Sequence, residues 1–191
     1  MIIVGISGKR GSGKTTLANI LEERYGWFHV SLADFLKRKC REDFDLTLEQ
    51  TNGALKEVVD ERYDKTPRQI MIDMGSFYRS VDPHFWIKKV QEQILGFPQA
   101  QRGNVVISDI RFRNEAEWIS RHYGYVVRLE RSPTLNIYRT EIQDPSECEL
   151  DAYSFYLTIP ALSNVTLADL ERIAGQINRS QFHHDTVRRA V

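Results

Sequence analysis

Residues 2–7 are apolar on both faces of an extended chain, the pattern of a strand buried inside a parallel sheet. At Lys14 the spacing changes to that of a helix, with Leu17, Ile20 and Leu21 on one face and Gly26 placed to end it. Residues 27–30 read as a short second strand. After them Leu32, Phe35, Leu36 and Cys40 recur at helical spacing. Residues 41–66 are polar, with one helical patch around Leu55, Val58 and Val59, which predicts a mobile insertion between core elements. Thr66-Pro67 and Asp82-Pro83 are helix starts with proline at the first position. The first leads into Ile70, Met71 and Met74, the second into Phe85, Trp86, Val90 and Ile94. Residues 105–107 and 126–129 predict further strands, 155–159 a last strand and 167–177 a closing helix.

Strands alternating with helices imply crossover connections and a mainly parallel α/β sheet. The 191 residues suit one domain, long enough to bury about 70% of the unfolded chain's surface without staples. The sequence holds no internal repeat, and the polar tail 181–191 is expected to fray.

Charge alters this picture by what it excludes. Lys plus Arg and Asp plus Glu are equal at 26 each, so no global field draws the chain to nucleic acid or an anionic membrane. Any anion must be held by local charge. No apolar run approaches the roughly 20 residues that cross a bilayer. Cys40 and Cys148 are too few for a disulfide framework, which fits a cytoplasmic location, and both are expected as buried thiols. No Cys/His/Asp cluster has the spacing of a structural zinc site.

The chemistry concentrates in Gly8-Lys9-Arg10-Gly11-Ser12-Gly13-Lys14-Thr15, a glycine, four free positions, then Gly-Lys-Thr. A chain of this length meets that pattern by chance on the order of once in a hundred. Here it also follows a buried strand and opens a helix. Gly8, Gly11 and Gly13 allow positive φ and bring backbone N–H groups, with those of Arg10 and Ser12, onto phosphate oxygens. Lys14 supplies a point charge for the β/γ-phosphates, Thr15 a hydroxyl ligand for Mg²⁺, and Thr16 a hydrogen bond towards the α-phosphate. The helix N-terminus adds about half a positive charge. The loop therefore predicts binding of a nucleoside triphosphate, ATP with magnesium. Residues 105–109 form an apolar strand ending in Asp109, the expected second magnesium partner.

A phosphate loop serves switches, motors and kinases alike. The guanine-reading Asn-Lys-x-Asp tetrapeptide of switch GTPases does not occur. Arg68, Arg79, Arg111, Arg131 and Arg139 supply planar donors for a transition state whose charge spreads over three oxygens, which suits a small-molecule kinase.

Thr66-Pro67-Arg68-Gln69-Ile70-Met71, Met74-Gly75-Ser76, Arg79 and Asp82-Pro83-His84-Phe85-Trp86 together resemble the deoxynucleoside monophosphate kinases known mainly from bacteriophages. Residues 31–37, Ser-Leu-Ala-Asp-Phe-Leu-Lys, resemble that family's segment after the second strand. Residues 108–115, Ser-Asp-Ile-Arg-Phe-Arg-Asn-Glu, and Ser146-Glu147 with Leu150-Asp151 resemble two further elements of it. The last two are also similar to animal-type phosphomevalonate kinases. The family often has Gly-Thr where this chain has Gly75-Ser76, a change that bears on base preference.

The resemblance implies a P-loop fold of the nucleoside monophosphate kinase type, with a five-stranded parallel sheet of order 2-3-1-4-5 and helices on both faces. It implies a core (1–33, 96–130 and 151–180), an acceptor-binding insertion at about 34–95 and a lid at about 131–150. Asp34, Lys37, Arg68, Gly75, Arg79, Trp86 and Arg111 become the expected acceptor-binding residues, with Trp86 either stacked on a base or packed in the core. Lys14, Arg79, Arg111, Arg131 and Arg139 become the expected catalytic set. The expected partner is a nucleoside monophosphate, with no nucleic acid or membrane, and the sequence admits a homodimer. Catalysis would be positioning plus charge neutralisation, because the acceptor phosphate is already an anionic nucleophile.

Overall fold

A computed structural model of the chain describes residues 1–97, 103–130, 145–160 and 166–180. The β-branched runs form five strands: β1 (Ile3–Ser7), β2 (Phe28–Val30), β3 (Val105–Ile110), β4 (Tyr125–Leu129) and β5 (Leu157–Ile159). They pair in the order β2-β3-β1-β4-β5, every pair parallel, as the resemblance implies. Eight α-helices are described: α1 (Lys14–Tyr25), α2 (Leu32–Phe44), α3 (Leu48–Asn52), α4 (Pro67–Val81), α5 (Phe85–Gly96), α6 (Arg113–Arg121), α7 (Pro145–Cys148) and α8 (Leu167–Ser180).

The chain divides into two compact units, residues 1–30 with the described part of 97–191, and residues 31–96. The first holds the whole sheet. On one side Val4, Ile6, Val106 and Val127 pack with Leu17 and Leu21 of α1 and with Leu170, Ile173 and Ile177 of α8. Burying a side chain such as Leu17 contributes about 1.5–3 kcal/mol. On the other side α6 lies against β1 at Gly5, where an added Cβ would stand 2.5 Å from Ile119 Cδ1 and 2.8 Å from Ile110 Cγ1. The sheet thus has helices on both faces, and glycine at position 5 sets how near α6 can come.

The second unit is helical. Cys40, Leu46, Ile70 and Met71 form its core, with Leu36, Phe44 and Met74 packed against them. The mobile stretch expected at 41–66 is corrected. Helix α2 runs on to Phe44, α3 opens on a capping box between Thr47 and Gln50, and a 3-10 turn spans Ala54–Glu57. Asp60, 9% exposed, takes a two-pronged contact from Arg62 (2.9 and 2.7 Å) and a 2.7 Å hydrogen bond from Gln50 Nε2. These caps and this fork supply the order that a composition without apolar periodicity does not announce. Val58 and Val59 are exposed, so they form no packed helical face.

Cys40 is buried as expected, and burial pushes its thiol up to about 11. Cys148 is exposed, against expectation, because the four-residue α7 turns it outwards. Arg131, Arg139, most of the expected lid and the tail 181–191 lie outside the described residues.

Candidate active site

The site in the sheet-bearing unit begins where β1 ends. Gly8, Gly11 and Gly13 have φ of +148°, +75° and +90°, the left-handed region that L side chains avoid. Gly8 is also hemmed in, since a Cβ there would meet the Leu129 carbonyl oxygen at 2.4 Å and Ser12 Oγ at 2.6 Å. The loop therefore runs tight against β4 and delivers its backbone to the N-terminus of α1, where Gly13 is the cap residue.

Within this loop the chain has assembled an anion cradle. The Ser12 amide donates to the Lys9 carbonyl at 3.2 Å. Lys14, 9% exposed, donates from Nζ to the carbonyls of Gly8 and Lys9, each at 2.7 Å. The loop wall thus grips the ammonium group instead of leaving it to sample solvent. Ser12 Oγ is buried and has no hydrogen-bond partner, an orphaned polar atom inside the loop. Such a group costs about 1–3 kcal/mol unless something supplies a partner. Positive φ, a seated lysine, a buried unpartnered hydroxyl and a helix N-terminus together fit a nucleotide's phosphates. Thr15 and Thr16 are exposed on the first turn of α1.

Asp109 lies in β3 next to this loop. β3 pairs with β1 in register, Gly5 opposite Ile107 and Ser7 opposite Ile110, with a bulge between. That register sets Asp109, half-buried, at the edge where the phosphate loop starts. Its neighbour Ser108 is buried, and His29 Nε2 of β2 lies 2.8 Å from Ser108 Oγ. No cluster of three or more His, Cys, Asp or Glu side chains occurs among the described residues. Magnesium needs none, being held by one or two carboxylates together with substrate phosphates and water. Thr15 and Asp109 fit that donor set.

Arg111 follows Asp109 by two residues and is fixed from both ends. Its backbone amide donates to Glu115 Oε2 at 2.8 Å, and Phe112 N donates to the same oxygen at 3.0 Å. Its Nη1 donates to the Ser146 carbonyl at 3.3 Å. Glu115 is 4% exposed. Two residues outside the expected set thus shape the site. Glu115 stands three positions into the β3–α6 turn, the spacing at which a helix-start acid reaches back to orphan amides, and that spacing was visible in the sequence. Asp151 accepts from Lys9 Nζ and from Arg128 Nη2, each at 2.7 Å. Nothing in the sequence marks those partners.

In the helical unit the expected acceptor residues separate. Arg79 and Gly75 are together, since a Cβ on Gly75 would lie 3.2 Å from Arg79 Nη1 and 3.4 Å from Leu36 Cδ2. Glycine at 75 lets the guanidinium fold back over α4. Arg68 is on the same helix, donating from Nε to Glu57 at 2.5 Å. Asp34 and Lys37 pair with each other at 3.3 Å on α2, and Asp34 is largely exposed. Trp86 is corrected as a base platform. It is 3% exposed, its indole N–H donates to the Gly75 carbonyl at 3.3 Å, and Tyr78 and Phe85 pack edge-on against it. Its π-face is occupied by the protein itself.

A family model described as phosphomevalonate kinase matches residues 6–125. A protein of Acanthamoeba polyphaga mimivirus named "Putative deoxynucleotide monophosphate kinase" is 32% identical over 185 residues, covering 88% of this chain and 92% of its own length. A cytidylate kinase of Halobacterium salinarum is 24% identical over 188 residues, covering 97% and 85%. In fold, the crystal structure of TT1252 from Thermus thermophilus superposes with a TM-score of 0.52 at 20% identity, covering 92% of this chain and 95% of that one. No helix among the described residues is long and apolar enough to cross a membrane. With its phosphate loop, strand order and relatives, the chain is a phosphotransferase and belongs to the deoxynucleoside monophosphate kinase family of P-loop kinases, to which the phosphomevalonate kinases are related.

Proposed function

We propose that the protein phosphorylates deoxynucleoside 5′-monophosphates to diphosphates with ATP as donor, in the cytoplasm. The prebuilt loop carries this reading, with Lys14 held by the Gly8 and Lys9 carbonyls beside the unpartnered Ser12 hydroxyl. Gly8, Arg10, Gly11, Ser12, Gly13 and Thr16 hold the donor phosphates, and Lys14 faces the charge that develops as the phosphoryl group leaves. Thr15 and Asp109 hold magnesium, which when bound neutralises phosphate charge. Arg79, seated over Gly75, and Arg68 take the acceptor phosphate, and Asp34 and Lys37 stand with them on the neighbouring helix. Arg111, oriented by Glu115, adds a planar donor on the side of Asp109, and Arg131 and Arg139 complete the neutralisation. The acceptor oxygen needs no general base, because it is already anionic.

A second reading is favoured by the family model over residues 6–125, phosphomevalonate as acceptor. One panel separates the two. Turnover with ATP and magnesium is measured on dTMP, dGMP, dCMP, dAMP and phosphomevalonate. A deoxynucleotide is expected to react fastest. Reaction of phosphomevalonate alone selects the second reading, and ATP binding with no acceptor consumed removes both.

A further inference from the structure

Lys9 and Asp151 form an ion pair that looks minor by exposure, at 41% and 48%. Pairs so exposed contribute little to stability by themselves. The surroundings of this one are different. Asp151 follows Leu150, 2% exposed, and its amide donates to the Cys148 carbonyl at 2.9 Å, so its backbone is fixed. Its second oxygen accepts from Arg128, whose side chain is only 12% exposed and whose guanidinium carbon lies 5.2 Å from the Phe155 ring centre. Partial burial raises the Asp151 carboxyl, but the hydrogen bonds from Lys9 and Arg128 outweigh it and hold the group below the usual carboxylate range.

Arg128 stands in register with Ser7, the residue before the loop, and Lys9 is the loop's second residue. Asp151 therefore bridges β4 to the loop across the point where Gly8 presses against Leu129. On its backbone side Lys9 presents the carbonyl that accepts from both Ser12 N and Lys14 Nζ.

We infer that Asp151 is a positioning residue for the phosphate loop: by tying Lys9 to Arg128 it holds the Lys9 carbonyl where it seats Lys14, so that nucleotide meets a cradle already formed. The inference rests on the loop as the nucleotide site and is independent of the acceptor. Preorganisation of this kind acts on affinity, because a loop that must be ordered on binding spends part of the interaction on ordering.

The full-length chain is tested as Asp151→Asn, Lys9→Met and the double variant, reading ATP dissociation constants by calorimetry and turnover with whichever acceptor reacts. Each single change is expected to weaken ATP binding about fivefold to tenfold, with the larger loss in affinity rather than turnover. The double variant is expected to be no weaker than the worse single one, because both remove the same tie. Asp151→Glu is expected to recover part of the affinity. ATP binding at wild-type strength in both single variants overturns the inference, as do losses that multiply in the double. If Asp151→Asn does not fold, exposed Lys9→Met gives the same reading. ATP binding is measured without an acceptor, so failure of the proposed reaction leaves this result legible.

Discussion

The phosphate loop and helix α4 carry the two halves of the expected chemistry, and they encode it by different means. The loop works through backbone: three glycines at positive φ, carbonyls that seat Lys14, and amides at a helix start. Helix α4 and its neighbour α5 hold expected acceptor side chains, and what packs against each decides what it can do. Arg79 is placed by the absence of a side chain at Gly75, while Trp86, on the adjacent α5, is withdrawn by Tyr78 and Phe85. Backbone-borne function needs specific residues at fixed spacing and shows in the sequence. Side-chain function depends on contacts made elsewhere in the fold.

The sharpest way to break that comparison is at Lys14. Lys14→Met removes the seated charge while leaving the glycines and the strand in place. Phosphoryl transfer is expected to fall by about a thousandfold, the order seen when one preorganised transition-state donor is lost. Turnover in a coupled assay, with circular dichroism to confirm the fold, checks it. A loss under tenfold would mean that the backbone alone holds the phosphates.

Trp86 tests the other side. Trp86→Ala is expected to cost about 3–5 kcal/mol of stability, as large-to-small changes in a core do. Urea unfolding measures it. Trp86→Phe should keep the Michaelis constant for the acceptor near wild type. A steep rise in that constant, with stability retained, would return Trp86 to the substrate.

Fold and site were legible to different depths. Strand β1, the loop and α1 could be read directly, because a two-faced apolar run, a glycine pattern and a 3.6-residue period each have one physical meaning. The strand order needed the resemblance, since periodicity does not say which strands are neighbours. Trp86 was ambiguous because an aromatic face serves a base or a core equally well. Asp151 stood out only as part of a resembling element, and its partners were out of reach, lying 142 and 23 residues away along the chain. The order in 41–66 was missed for a related reason. It comes from caps and one carboxylate fork, and hydrophobic spacing does not report either.

Arg79 gives an intermediate effect. Arg79→Ala is expected to raise the acceptor's Michaelis constant about 10- to 100-fold and leave ATP affinity unchanged, consistent with one charge-assisted contact to a phosphate. Gly75→Ala should move the same constant in the same direction by less, because its Cβ would stand 3.2 Å from Arg79 Nη1 and displace a flexible group. Equal effects on ATP and acceptor would show that α4 does not act on one substrate alone.

The smallest effect concerns what keeps the helical unit in shape. The Arg62 guanidinium beside Asp60, with help from Gln50, holds the Asp60 carboxyl well below the usual carboxylate range. A depressed folded value means that the unfolded chain binds the proton more readily. The pairing therefore contributes stability above about pH 4, the ordinary value for aspartate, and that contribution drains away as pH falls towards the lower folded value. Asp60→Asn removes it. Thermal melts of the two proteins are expected to differ most near pH 7 and to converge as acid is added, with α2 and α4 intact by circular dichroism at neutral pH. A gap of constant size at every pH would assign the loss to the amide's poorer hydrogen bonds rather than to charge. Order in this stretch would then rest on the caps at Thr47 and Thr66.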